Sequence, residues 1–388
     1  MMKKYRYNKW IVTLFSASAC LFAAVFFLFA TGSLFFSAPE QTAVDTPRES
    51  SGDYSIMETF DEWISFTLTE AEAAVRSVPK HFTIAPDAER CPMPNQDCYG
   101  QADSPRELQW LLEEATPMLD GQDTVFTMDT PIMEGSVVRY YLDETILAIT
   151  WKQVFDNFVY TISEIKIQDP SQFRRYIVSD DMHDLHYYQT SEMSRKVNAV
   201  VASSADFYKN RPYGIVVYDG QVKRSNRLGL MEACFIDAKG DLLFTERGEF
   251  GDKADLEAYV ADHDIRFSLV FGPVLIDNYE LRPLESYPMG EIHDGYPRCA
   301  IAQKGELHYV LIAATAEGPY KSYVDIPTFA KNIATLGCMK AYALDGGRTV
   351  TVTMNHELIN SINYDEPRKT GDCIYFGSAL PNYSDTQE

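Results

Sequence analysis

The sequence predicts an α+β fold: a single mixed, β-rich globular domain behind an N-terminal transmembrane helix. Three observations support this. Residues 10–36 contain no Asp, Glu, Lys or Arg. From about Val137 the chain breaks into short runs of alternating β-branched and aromatic residues, separated by turn signals. Helical stretches are few and do not alternate regularly with strands, which argues against a βαβ-wound sheet.

As a helix, the run 10–36 would rise about 40 Å, more than the roughly 30 Å hydrocarbon core requires. Lys3, Lys4, Arg6 and Lys9 precede it and hold the tail 1–9 in the cytoplasm. The expected location is therefore a single pass through the cell membrane, with the main domain extracytoplasmic. A cleaved signal peptide competes, since Ala30 and Ser37-Ala38 supply small residues, but its apolar core usually runs to about 7–15 residues. Residues 37–58 are rich in Pro, Ser and Asp without an apolar period and read as a stalk.

Residues 59–195 form a helical and β extension, and 196–380 form the principal domain. Phe60, Trp63, Ile64, Phe66, Leu68, Ala71 and Val75 are spaced for one apolar helical stripe. Ser104-Pro105 is a cap signal ahead of Leu108, Leu111, Leu112 and Ala115. Strands are expected at 136–141, 145–151, 158–167, 214–218 and 307–313. Turns are expected at Asp219-Gly220, Lys239-Gly240-Asp241, Asp277-Asn278 and Lys304-Gly305. A helix at 327–336 ends at Gly337.

The net charge of −22 includes four positive side chains ahead of residue 36, so the rest of the chain is more acidic still. Such a surface repels phosphate backbones, which excludes nucleic acid as a partner. It serves solubility. Seven cysteines are present, with Cys20 inside the expected anchor. Cys91 and Cys98 flank a loop suited to a local disulfide, whereas Cys234, Cys299, Cys338 and Cys373 sit in apolar strand-like surroundings that also suit free buried thiols. No C-x-x-C spacing marks a metal or redox site.

Several short matches carry no weight. Ser77-Val-Pro-Lys80, Ser361-Ile-Asn363 and Lys369-Thr-Gly371 mimic the penicillin-binding signatures in order, but the latter two are too close together to hold that fold. Asp181, His183, Asp184 and His186 offer ligands for a divalent cation, with a solvated polar turn the plainer reading. No metal site is assigned.

The stretch richest in chemistry is 340–355. An apolar strand ends at Asp345, Gly346 and Gly347 follow, and β-branched residues resume at Thr349. Consecutive glycines permit positive φ and the close approach of a ligand. An Asp-Gly β-hairpin is the structural alternative.

With three other segments, this stretch resembles the phosphodiester glycosidase family, in its bacterial extracytoplasmic form. The family carries Asn-Gly-x-Phe, Arg-Thr-Ala-Ile-Gly and Leu-Asp-Gly-Gly-Gly-Ser segments and a late Arg. In their places, in order, stand Ser204-Ala205-Asp206-Phe207, Arg298-Cys299-Ala300-Ile301-Ala302, Leu344-Asp345-Gly346-Gly347-Arg348-Thr349, and Arg368. Departures are Ser204-Ala205 for Asn-Gly, Ala302 and Arg348 for glycines, and Thr349 for Ser.

The resemblance implies hydrolysis of a sugar-1-phosphodiester, with carboxylates at the anomeric carbon and cations on the phosphate. It points to Asp345 and Asp206 as the catalytic carboxylates. Arg298 is the implied phosphate fork, aided by Arg348 or Arg368, with Ser204, Gly346, Gly347 and Thr349 lining the substrate. The implied partner is a phosphorylated glycan or cell-wall polymer. A non-catalytic polymer-binding module on the same fold is the alternative.

Overall fold

Ser104 opens the first described helix, α1 (Pro105–Leu119), with a reciprocal capping box. Its side chain accepts the Glu107 N–H at 3.4 Å, and Glu107 Oε2 accepts the Ser104 N–H at 3.2 Å. Leu108, Leu111, Ala115 and Leu119 recur at helical spacing and are its buried residues. The computed structural model describes residues 81–381 other than 180, 182–183, 285–286 and 288–290. The expected anchor 10–36, stalk 37–58 and apolar stripe 60–75 lie outside these residues. Among the described residues no helix is long and apolar enough to cross a membrane.

Among the described residues the strands form three antiparallel sheets. The largest has nine strands: Tyr99–Ala102, Val138–Leu142, Ile146–Phe155, Phe158–Ile167, His308–Thr315, Arg298–Gly305, Lys340–Leu344, Val274–Asp277 and Glu280–Leu281. Its two faces follow the two-residue period of a strand. Ile149, Ile162, Ala300, Ile312 and Ala343 face one core, shared with α1 and with the apolar side of the helix Ile326–Ala334. Ala148, Ile165, Ile301, Leu311 and Leu344 face the other, which they share with residues of both smaller sheets. One smaller sheet runs Leu242–Thr245, Ala233–Asp237, Ile265–Leu269, Gly214–Tyr218, Gln221–Asn226. The other runs Glu357–Leu358, Val352–Met354, Val201–Ser204, Asp372–Phe376, Phe173–Ile177.

Strands from before and after residue 195 hydrogen-bond within the same sheets: Phe158–Ile167 with His308–Thr315, and Phe173–Ile177 with Asp372–Phe376. The helices Thr190–Lys196 and Lys253–Asp262 add to those read from the sequence. The second of these buries only Leu256 and Val260, which is too little apolar surface to advertise a stripe.

The disulfide expected between Cys91 and Cys98 is not formed, and all six described cysteines are free. Their sulfurs serve different cores. Cys91 packs against Gly377, within the core that includes Tyr375, and burial pushes its thiol up to about 12. Cys98 lies against the core that includes Tyr141, beside Asn95.

The cap gives a direct check on this reading of α1. Ser104→Ala is expected to lower the unfolding free energy by about 1 kcal/mol, measured as a lower urea midpoint at unchanged m.

Candidate functional site

Strand ends from two sheets meet at three aspartates. Asp345 follows the strand Lys340–Leu344 of the large sheet, Asp206 lies just beyond Val201–Ser204, and Asp372 opens Asp372–Phe376. The Asp345 N–H donates to Ala205 O at 2.9 Å, which stitches the two sheets together at this point.

The Gly346-Gly347 pair makes the crossing possible. It is not the hairpin that the Asp-Gly sequence also allows, because the strands on either side belong to different sheets. A Cβ on Gly346 would lie 2.9 Å from Pro297 O, and Gly347 has φ +67°. Each glycine is thus required, one by close approach and the other by backbone conformation. The short turn Gly347–Thr349 then returns Thr349 toward Asp345.

Asp206 is fully committed. Its Oδ1 accepts the Phe207 N–H at 2.6 Å and the Arg211 guanidinium at 3.3 Å, and its Oδ2 accepts the Val270 N–H at 3.0 Å and sits 3.7 Å from Arg175. Its own N–H donates to Asp372 at 3.1 Å. Asp372 is clamped by Arg175, with Nε at 2.8 Å and Nη2 at 2.6 Å. Burial alone would lower the Arg175 pKa, but Asp372 and then Asp206 outweigh it and raise it. Neither Asp372 nor Arg175 was singled out from the sequence. They lie 197 residues apart, and only strand pairing joins them.

Asp345 is the carboxyl without a guanidinium clamp. Burial raises its pKa from 3.8 to about 7, a hydrogen bond with Thr349 opposes the rise, Asp206 adds to it and Arg368 opposes it. Burial pushes Asp372 up as well, against Arg175. The direct Arg175 contact and the Asp206 N–H oppose that rise on Asp372, whereas Asp345 has no such ion pair among the described residues. The Thr349 hydroxyl also lies 2.7 Å from Gly346 O, so its one proton is offered to that carbonyl as well as to the Asp345 carboxyl.

The remaining expected residues divide by what their side chains touch. Ser204 is buried, and its hydroxyl accepts the Thr351 N–H at 3.3 Å. Arg298 is buried and turns to backbone, donating to Glu291 O at 2.9 Å, Asp294 O at 2.6 Å and Val324 O at 3.3 Å. Arg348 and Arg368 are exposed. Arg348 stacks on Tyr364 at 4.8 Å and Arg368 over Phe207 at 5.7 Å, and the Arg368 N–H donates to Arg348 O at 3.1 Å. Among the described residues neither of these two guanidiniums is bound in an ion pair.

A cavity of about 750 Å³ lined by Gly220, Glu257, Val260 and Asp264, and a smaller one lined by Trp151 and Gln153, both lie away from the carboxyls. The polar loop around residue 184 pairs Asp184 with His186, while His183 lies outside the described residues. Among the described residues no group of three His, Cys, Asp or Glu side chains is placed to hold a metal ion.

Strand ends of a β-rich scaffold thus present a buried carboxyl, Asp345, on which the exposed Arg368 acts. In the comparison with known families, residues 195–377 match the family described as phosphodiester glycosidase. The match takes in Asp206, Asp345, Arg368 and Asp372 but not Arg175. Among solved structures, the chain is similar to a hypothetical protein from Synechocystis, with TM-score 0.49 and 14% identity over 64% of this chain and 64% of that one. The chain thus spans slightly less than two thirds of that protein. It is also similar to the catalytic domain of zebrafish N-acetylglucosamine-1-phosphodiester alpha-N-acetylglucosaminidase, auto-inhibited by its pro-peptide, with TM-score 0.48 and 13% identity over 64% of this chain and 86% of that one. No curated protein matches in sequence.

Two stability measurements test the electrostatics. An acid whose pKa is raised on folding holds a proton that the unfolded chain releases. Its contribution is therefore fully present below 3.8 and is lost as pH rises through about 7. The loss amounts to about 4 kcal/mol. Asp345→Asn should accordingly unfold at a higher temperature than wild type at pH 8, with the gap closing toward pH 4. An equal gap at both would remove the buried proton. Arg175→Leu, which strands Asp372, should cost about 3–5 kcal/mol, with part recovered in the double variant Arg175→Leu/Asp372→Leu.

Proposed function

We propose that the chain hydrolyses glycosyl phosphodiester bonds of the sugar-1-phosphodiester type in cell-surface polysaccharide, held outside the membrane by its N-terminal segment. The observation that supports this best is Asp345: a buried carboxyl poised near neutrality, acted on by the exposed Arg368, inside the family match. The sequence of the anchor supports the location.

The chemistry follows from the leaving group. A phosphate ester departs as a weak base, so it needs cations more than it needs a proton. Arg348 and Arg368 suit that task, since guanidinium matches phosphate in a bidentate way. In this reading Arg298 braces the 291–298 loop and the phosphate is left to Arg348 and Arg368. Ionised Asp345 takes a proton from water. The water oxygen bonds to the anomeric carbon as the carbon–oxygen bond to phosphate breaks, and the bonding pair leaves on the phosphate oxygen. Free sugar and a phosphate monoester result. Asp206 and Asp372 hold the frame through their contacts with Arg175 and Arg211. A carboxyl with a pKa near 7 is the strongest base that is still ionised at neutral pH.

Assays of the full chain on a panel of sugar-1-phosphodiesters test this. Asp345→Asn should lower kcat by about 10²–10⁴, and Arg348→Ala and Arg368→Ala should raise KM. For wild type, kcat/KM should climb about tenfold per pH unit up to about 7 and then level off. No turnover by folded wild type across the panel would sink the proposal. Saturable polymer binding without turnover would instead favour the binding-module reading that Ser204-Ala205 and Arg348 also permit.

A further inference from the structure

One stretch of this acidic chain has the opposite sign. Residues 207–227 carry Lys209, Arg211, Lys223, Arg224 and Arg227 against the single acid Asp219, in a chain of net charge −22. Two of these cations are spent on the frame. Arg211 pairs with Asp206, and Arg224 Nη1 donates to Tyr208 O at 2.9 Å and to Arg211 O at 2.7 Å. Arg224 thus fastens the edge strand Gln221–Asn226 to the segment 207–213, and Asn226 Nδ2 adds a bond to Pro212 O at 2.9 Å.

The cations left over lie on aromatic rings. Arg368 stands over Phe207, Lys209 Nζ is 5.2 Å from the centre of the Tyr187 ring, and the exposed Arg227 is 5.6 Å from that of Tyr213. Lys209 also donates to His186 O at 2.9 Å, and its stem lies where a Cβ on Gly371 would come within 2.8 Å of it. Among the described residues neither Lys209 nor Arg227 is in an ion pair. Asp184, on the loop that Lys209 reaches, is paired with His186 instead. A ring orders a cation without cancelling its charge, whereas a carboxylate does both. These three side chains are therefore positioned in advance and still charged.

Their spacing says what they suit. The six Cα steps from Phe207 to Tyr213 span at most about 20 Å, and the segment between contains no acid. A row of separated cations matches a linear chain bearing anions at intervals better than one compact anion. Bases would need open ring faces to stack on, and here cations already cover them. We infer that Lys209 and Arg227, with Arg368 at the inner end, form a binding surface for a linear polyanion without bases, whose phosphate or carboxylate groups bridge the cations. The inner end, Phe207, adjoins Asp206, so a polymer held along this segment leads to the candidate site. The binding itself does not depend on the hydrolysis proposed above, and its test uses no turnover.

Calorimetry of the full chain with inorganic polyphosphate, polygalacturonate and neutral dextran supplies that test. Wild type should bind a polyanion and not dextran, with log affinity falling linearly against log salt. The polyanion that binds assigns the anion as phosphate or carboxylate. Lys209→Gln/Arg227→Gln should weaken binding about tenfold and flatten the salt slope by about two. Lys239→Gln/Lys253→Gln removes the same charge from exposed positions elsewhere and should change neither. Failure of both polyanions to bind, or equal losses in the two double variants, would overturn the surface while leaving the hydrolase untouched. A single-stranded oligonucleotide that binds wild type more tightly than polyphosphate of equal charge would overturn it in favour of nucleic acid.

Discussion

Three buried carboxyls at one junction, with two buried guanidiniums to balance them, set the terms for this structure. Asp206 and Asp372 claim Arg175 and Arg211 through contacts between 2.6 and 3.7 Å, and Asp345 is left over. A charge that cannot be paired in a dry site is discharged by taking up a proton. The stability of the junction and its readiness for proton transfer therefore have one origin. The arrangement is costly at high pH, as expected of a group kept for chemistry and not for folding.

The fold delivers that junction by ending strands of separate sheets at the same place. Buried on both faces, the nine-stranded sheet gives a rigid base, and its strand Lys340–Leu344 ends where Val201–Ser204 of a smaller sheet ends. Gly346 and Gly347 carry the chain from one sheet to the other, a crossing that side chains at those two positions would block or strain. The segments that follow carry the exposed Arg348 and Arg368.

Much of the scaffold was legible in the sequence because its signals are local. The strands Phe158–Ile167 and Gly214–Tyr218 match the alternating runs residue for residue, and α1 begins at the Ser104 cap. The helix Ile326–Ala334 lies within two residues of its expected bounds. Asp345, Thr349 and Asp206 were legible because they sit on ordered motifs. Arg175 and Asp372 were not, since neither lies in a motif and their pairing depends on two strands far apart in the chain. Which arginines are spent was equally hidden: Arg298 stands in the better motif, yet three backbone carbonyls take its donors. The Cys91–Cys98 spacing misled because loop length says nothing of where each sulfur packs.

The central claim is that Asp345 holds a proton up to near neutrality. Carboxyl infrared difference spectra of the full chain, wild type against Asp345→Asn, titrated from pH 3 to pH 9, test it most directly. The account predicts protonated-carboxyl absorption that is reduced in the variant and disappears with a midpoint of about 7. A band lost near 3.8, or one that persists unchanged in Asp345→Asn, would contradict it.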